Sequence, residues 1–397
     1  MIKSPAISTL RWSLLLALLS ACHLARAQSY PPAWSGAASY VIGDQTQASG
    51  NVYRCIKAVA FGLSPAQDYT NWELYYVRAN TTLTIGALQP FPSLKAAWTY
   101  AQNAKVADGA YLHFYMSSAH SGPYSESFAA PLLLDHSSGA RIAILGDGAT
   151  DTLSFGATNG IIIDTGHSLN TISSLTISGA GTDGVKVDFA ASLSNLSACT
   201  VTGFNNGVHA LQGGSVSISG GNFSSIHDNC CWAESSGNIT VASGLTISGI
   251  NTTSEVAFSA DLGGSISAEY ATVGNVYAGA TAENGGVIDV RNSTISSSNY
   301  GADANGGFVT CSAACITNCT CGIYAQYGGQ IIADQCLVSS CEYGAAAYSQ
   351  AYVNCEDANF WNNSLDLQVS FNGVIDAVLA VVSTQVITAG SNAIILT

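Results

Sequence analysis

The chain predicts an all-β fold, a right-handed parallel β-helix of nine or ten coils, and three observations lead there. Its 397 residues include 40 glycines and only 36 charged side chains, while 48% are hydrophobic, which suits many short strands and turns rather than a helical bundle or a disordered chain. A corner motif recurs: Asn159-Gly160-Ile-Ile-Ile163, Asp183-Gly184-Val-Lys-Val187, Asn206-Gly207-Val-His-Ala210, Asn229-Cys230-Cys-Trp-Ala233, Tyr300-Gly301-Ala-Asp-Ala304, Cys321-Gly322-Ile-Tyr-Ala325 and Tyr343-Gly344-Ala-Ala-Ala347. The steps between them are 24, 23, 23, then 71 over three turns, then 21 and 22. A propeller needs about twice that period.

The first element is a targeting segment. Lys3 and Arg11 precede the apolar run Trp12 to Leu19, too short to span a bilayer, and Ala25-Arg26-Ala27 supplies a small-x-small cleavage site, so residues 1–27 are expected to be removed on export. Their loss takes three basic residues and no acid, moving the net charge from −14 to −17. Leu19-Ser20-Ala21-Cys22 also fits a bacterial lipobox, which would instead leave the protein lipid-anchored through Cys22. No later segment qualifies as transmembrane.

Residues 28–77 form a separate small module with nine aromatics, among them Trp34, Tyr40, Tyr53 and Trp72. The pattern Trp34-x5-Tyr40-x2-Gly43-Asp44, Gly50-x2-Tyr53-Arg54-Cys55, Gly62-x2-Pro65 and Asn71-Trp72 resembles the chitin- or cellulose-binding module of secreted chitinases. That resemblance implies sugar binding by Trp34, Tyr53 and Trp72, because pyranose C–H faces stack on aromatic rings. The alternative is that these rings are the core of a domain too small to have another.

Residues 78–150 read as a lead-in and cap. Ser93 opens an amphipathic helix with Leu94, Ala97, Trp98 and Ala101 on one face, ending at Asp108-Gly109; Leu112, Phe114 and Met116 alternate as a strand, and Arg141 to Gly148 holds another. The order Phe91-Pro-Ser-Leu, then Gly122-Pro-Tyr124-Ser-Glu126, then Ile142-Ala-Ile-Leu-Gly146 resembles the N-terminal portion of pectin-lyase-like parallel β-helix proteins. In those proteins such a helix covers the open end of the stack.

Residues 151–397 are the coil region. After each corner motif comes a second column, as in Gly214-Ser-Val-Ser-Ile218 and Gly329-Gln-Ile-Ile-Ala333, and a third, as in Leu175-Thr-Ile177 and Leu245-Thr-Ile247. Three short strands per coil, with apolar residues at alternate positions, bury their inner faces only by stacking. Cys199, Cys231, Cys311, Cys336 and Cys355 fall at inward positions and read as small hydrophobes. Cys319 and Cys341 occupy one column a coil apart, so they are either bridged or stacked. Cys311, Cys315, Cys319 and Cys321 do not follow a zinc spacing, and no histidine lies beyond His227.

The outward positions are where chemistry can sit. Counting from the corner glycine, Ile162, Lys186, His209, Trp232 and Phe258 take the second place, and Asp164, Asp188, Leu211 and Glu234 the fourth; Asp303, Tyr324 and Tyr348 lie further along. With a coil rise of about 4.8 Å, Asp164 and Asp188 are neighbours and Asp188 and Glu234 stand about 9.6 Å apart, spacings of the order used by glycosidase carboxylate pairs. Asp164, Asp188 and Glu234 are the candidate acids and bases, His209 the proton shuttle, Lys186 a further catalytic candidate between them, and Trp232 and Phe258 the sugar platforms. The bland alternative is a solvated strand face.

The acidic balance and the lack of Lys and Arg clusters exclude a nucleic-acid partner. An acidic polysaccharide would be repelled unless Ca²⁺ bridged the two charges, so a neutral glycan fits better and no cofactor is required. Arg141 and Arg291 alone lie in or near the coils, which disfavours uronate lyase chemistry. The expected function is an exported polysaccharide-binding or adhesion protein. A secreted polysaccharide hydrolase or lyase is the alternative, and a phage tail-spike-like receptor binder the third reading.

Overall fold

The structure, a computed structural model, describes residues 31–59, 62–118, 122–249, 254–383, 388–389 and 392–396. The expected export segment, residues 1–27, and Cys22 lie outside the described residues. The chain divides into two compact units, Met1–Glu73 and Leu74–Thr397.

In the first unit, strands Gln45–Ala48 and Asn51–Cys55 pair antiparallel, Ala48 facing Asn51. Ser49 and Gly50 both adopt positive φ, the two-residue turn whose twist matches the flanking strands. Two of its aromatic rings are core. Trp72 is fully buried, with Tyr40 edge-on at 4.9 Å and 74°, and Tyr53 is buried beside Val52 and Cys55. A sugar platform has to show its face to solvent, so Tyr53 and Trp72 are corrected from binding residues to packing residues. Trp34 is half-buried.

The second unit is a parallel β-solenoid of about eleven turns, of the right-handed type. One column holds twelve strands, from Leu132–Leu133 through Asp183–Val187, Asn206–Leu211 and Asn229–Glu234 to Thr388–Ala389, and the other two columns join in a 23-stranded sheet. The count exceeds the expected nine or ten because Thr81–Ile85 pairs with Leu112–Met116, that strand with Ile142–Leu145, and the last with Ser168–Ser173. The region expected to be a lead-in therefore already winds as coils.

Helix α1, Leu94–Ala101, packs Leu94, Ala97, Trp98 and Ala101 inward, with the Trp98 ring 5.3 Å from that of Phe114. The Ser93 side chain caps it by accepting the Ala96 N–H, and the Glu126 carboxylate accepts the N–H of Leu94 at 2.8 Å and of Lys95 at 3.4 Å. A carboxylate there also meets the positive end of the helix dipole. The helix stops at Ala101 rather than near Asp108, because Lys105–Val106 leaves to pair with Tyr76 and Val77.

Local backbone chemistry sets the coil. Residues such as Gln212–Gly213, Leu262–Gly263 and Tyr327–Gly328 supply two left-handed positions at one corner, and Asn275, Ser297, Asn318, Ser340 and Asn362 supply one at another. The recurring first-column glycine has a different cause, close approach of the next coil. A Cβ on Gly301 would stand 2.4 Å from Ile316 Cγ2 and 2.5 Å from the Gly322 oxygen.

Inside, Val185, Val208, Cys231, Phe258, Ala280, Ala302, Ile323 and Ala345 stack in register on successive coils. Phe258 is thus corrected from an outward platform to core. Its strand, Val256–Asp261, has Ala257 where the corner glycine usually stands, and Ser259 takes the outward place. Such a ring contributes about 1.5–3 kcal/mol when buried.

Candidate functional site

The outer face of the first column brings Lys186, His209, Trp232, Ser259, Thr281, Asp303 and Tyr324 into one row, each in register with the next. Two clusters stand on it.

The first is a polar chain running inward from the surface. Glu234 is partly exposed, and its Oε2 lies 3.5 Å from His209 Nε2. His209 Nδ1 lies 3.1 Å from Asp183 Oδ1, which also accepts a 2.9 Å bond from Asn206 Nδ2; Asn229 Nδ2 donates to Asn206 Oδ1 at 3.3 Å. The His209 ring is flat against Trp232, with centroids 4.1 Å apart and planes 8° from parallel. His209 Nε2 is buried and has no hydrogen-bond partner at normal distance. Burial pushes the Asp183 carboxyl up, but the hydrogen bonds from His209 and Asn206 and the nearby positive charges of His209 and Lys186 outweigh it and hold it below the usual carboxylate range.

The sequence-derived set is only partly reassembled. His209, Glu234 and Trp232 come together. Asp188 does not join them: it is buried, one oxygen accepting the Phe189 N–H at 2.7 Å and the other 3.1 Å from Lys186 Nζ, so both residues are spent on a turn and an ion pair. Asp164 is half-buried at the end of strand Ile161–Ile163, with its carbonyl 2.8 Å from His167 Nδ1. The carboxylate opposite Glu234 across His209 is Asp183. Counting outward positions from the corner glycine passed over it because it precedes that glycine. Its signal is positional: Asp183 is the one acid in a stretch of column otherwise held by Asn159, Asn206 and Asn229.

The second cluster is aromatic. Tyr277, Tyr300, Tyr324 and Tyr348, one per coil, contact one another in sequence with centroid distances of 5.6, 5.1 and 5.5 Å, the first pair edge-on at 77° and the next two tilted by 36° and 50°. All four are half-buried, so each keeps part of its surface open to solvent. Asp303 lies within this cluster, 9% exposed, its Oδ1 buried and without a hydrogen-bond partner. Burial, reinforced by the charge of Glu283, pushes its carboxyl up to about 7. Glu283 itself accepts a 3.2 Å bond from Asn305 Nδ2. At the corner that leads into the same strands, Asn299, Asn318, Thr320, Ser340 and Glu342 line an open polar groove of about 520 Å³.

No protein-family model, curated protein or solved structure matches the chain. The outer face has to be judged on its own chemistry.

The eleven described cysteines are thiols, ten of them buried. Burial pushes Cys199 up to about 11 and Cys355 to about 12, as in structural rather than reactive cysteines. Among the described residues no three His, Cys, Asp or Glu side chains converge as a metal site requires, and no helix is long and apolar enough to cross a membrane.

Proposed function

We propose that this is an exported polysaccharide-binding protein that holds its glycan across the outer face of the first strand column. The observation that carries the reading is the run of four half-buried tyrosines, Tyr277, Tyr300, Tyr324 and Tyr348, of which Tyr324 stands in the outward row that also holds Trp232. Flat aromatic surface at low entropic cost is what sugar rings stack against, and neighbouring polar side chains such as Asn299, Asn318 and Thr320 suit hydroxyl groups. Kinship with pectin-lyase-like proteins, and of residues 28–77 with chitinase-type binding modules, belongs to this reading, as does export with cleavage near Gln28 or lipidation at Cys22.

Pull-down on insoluble chitin and cellulose, followed by titration with soluble oligosaccharides, tests it. The double variant Tyr300→Ala/Tyr324→Ala should abolish retention while Trp72→Phe, in the core of the first unit, leaves it unchanged. Retention that survives the double variant moves the binding surface elsewhere.

A secreted polysaccharide hydrolase or lyase is the second reading, favoured by the Glu234–His209–Asp183 chain, in which a partly exposed carboxyl backed by an imidazole could exchange protons with a bound ligand. Release of reducing ends or unsaturated products, abolished by Glu234→Gln, would establish it.

A further inference from the structure

From residue 187 onward the sequence has fifteen Asp and Glu side chains and a single basic one, Arg291. Arg291 is already committed, its guanidinium 2.7 Å from Asp289 and 2.8 Å from Glu269. No histidine follows His227. The second half of the solenoid therefore presents acid with almost no internal counter-charge, and Asp303 is one of its buried members. It is nine-tenths buried, its Oδ1 has no partner, and among the described residues no cation pairs with it. Leaving a buried carboxylate unpaired is expensive, so such a group either takes up a proton or is completed by a cation from outside.

Its surroundings say what would complete it. Tyr324 is the register neighbour of Asp303 on the next coil, Tyr300 stands three residues earlier with its ring centroid 5.1 Å from that of Tyr324 and tilted by 36°, and both phenols feel the Asp303 charge. Thr281 flanks it on the preceding coil, with Glu283 two residues beyond. Aromatic faces beside two carboxyl groups attract an ammonium: the rings offer their negative quadrupole, and the carboxylate offers charge and an acceptor for N–H.

We infer that Asp303, with Tyr300 and Tyr324, binds a protonated amine carried by the ligand, which makes the preferred glycan an amino-sugar polymer with free amino groups. This rests on the glycan-binding reading and names its ligand class. An N-acetylated sugar brings an amide without charge, leaving Asp303 uncompensated, and a uronate is repelled. The upward push on Asp303 from burial and from Glu283 is what the absence of a counter-charge produces.

The test is calorimetric titration of the full chain at neutral pH with two probes, the hexamer of β-1,4-linked glucosamine and its fully N-acetylated counterpart. The glucosamine hexamer should bind about tenfold more tightly, and the gap should narrow as salt is raised. Asp303→Asn should remove most of that preference while leaving binding of the acetylated hexamer intact. Glu356→Gln, which deletes one exposed charge elsewhere in the coils, should not change the preference. Equal affinity for the two hexamers, or a preference that falls equally in Asp303→Asn and Glu356→Gln, overturns the inference and leaves the glycan reading standing. Binding of neither hexamer by a chain shown to be folded by circular dichroism removes both.

Discussion

The imidazole of His209 lies face to face with the indole of Trp232 on the next coil, 4.1 Å between centroids and 8° from parallel. The pairing follows from register alone, since the two residues hold equivalent outward positions on adjacent strands. Stacked rings support each other at the edge of a hydrogen-bonded chain, so Trp232 both shields His209 and offers its other face to a ligand.

Trp232→Ala is accordingly expected to weaken glycan binding about tenfold, the scale of one lost aromatic contact, with little change in cooperative unfolding because the ring is half-buried. Titration calorimetry and thermal denaturation of the same sample check both halves.

Asp303 gives the fold an acid preference. Its carboxyl is held at about 7 in the folded chain against an ordinary 3.8, so between those values the folded state keeps a proton that the unfolded state releases. Stability should fall as pH rises through that window and stay low above it, by up to about 4 kcal/mol. Urea unfolding at pH 5 and pH 8.5 measures the difference, and Asp303→Asn should flatten it. An unchanged pH dependence in that variant would place the titrating group elsewhere.

Gly301→Ala should cost several kcal/mol, because the new methyl would stand 2.4 Å from Ile316 Cγ2 and 2.5 Å from a backbone oxygen. Gly274→Ala, whose nearest obstacle is the Ser296 Oγ at 3.4 Å, should be nearly neutral. Melting temperatures of the two variants separate a corner that stacks tightly from one that does not.

That steric origin also explains what was legible in the amino-acid order. Gly184, Gly207, Gly301, Gly322 and Gly344 announce the coil because no Cβ fits between stacked backbones, so period and column could be read directly. The strands Thr81–Ile85 and Leu112–Met116 belong to the solenoid's 23-stranded sheet but have no such corner, and they read as a lead-in. Phe258 was misplaced for the same reason: with Ala257 in the glycine position, the inward place passed to the ring and the outward one to Ser259. His209, Glu234 and Trp232 could be grouped from spacing, whereas Asp183 depends on how the side chains turn at the corner. Tyr53 and Trp72 show the reverse limit, since aromatic content marks a domain without telling which rings its small core consumes.

Hydrogen–deuterium exchange of the full chain with and without saturating oligosaccharide tests the central claim most directly. The account predicts slowed exchange in the outward-facing strands from Asn229–Glu234 to Tyr343–Tyr348, with residues 31–73 unchanged. Protection confined to residues 31–73, with those strands unaffected, would contradict it.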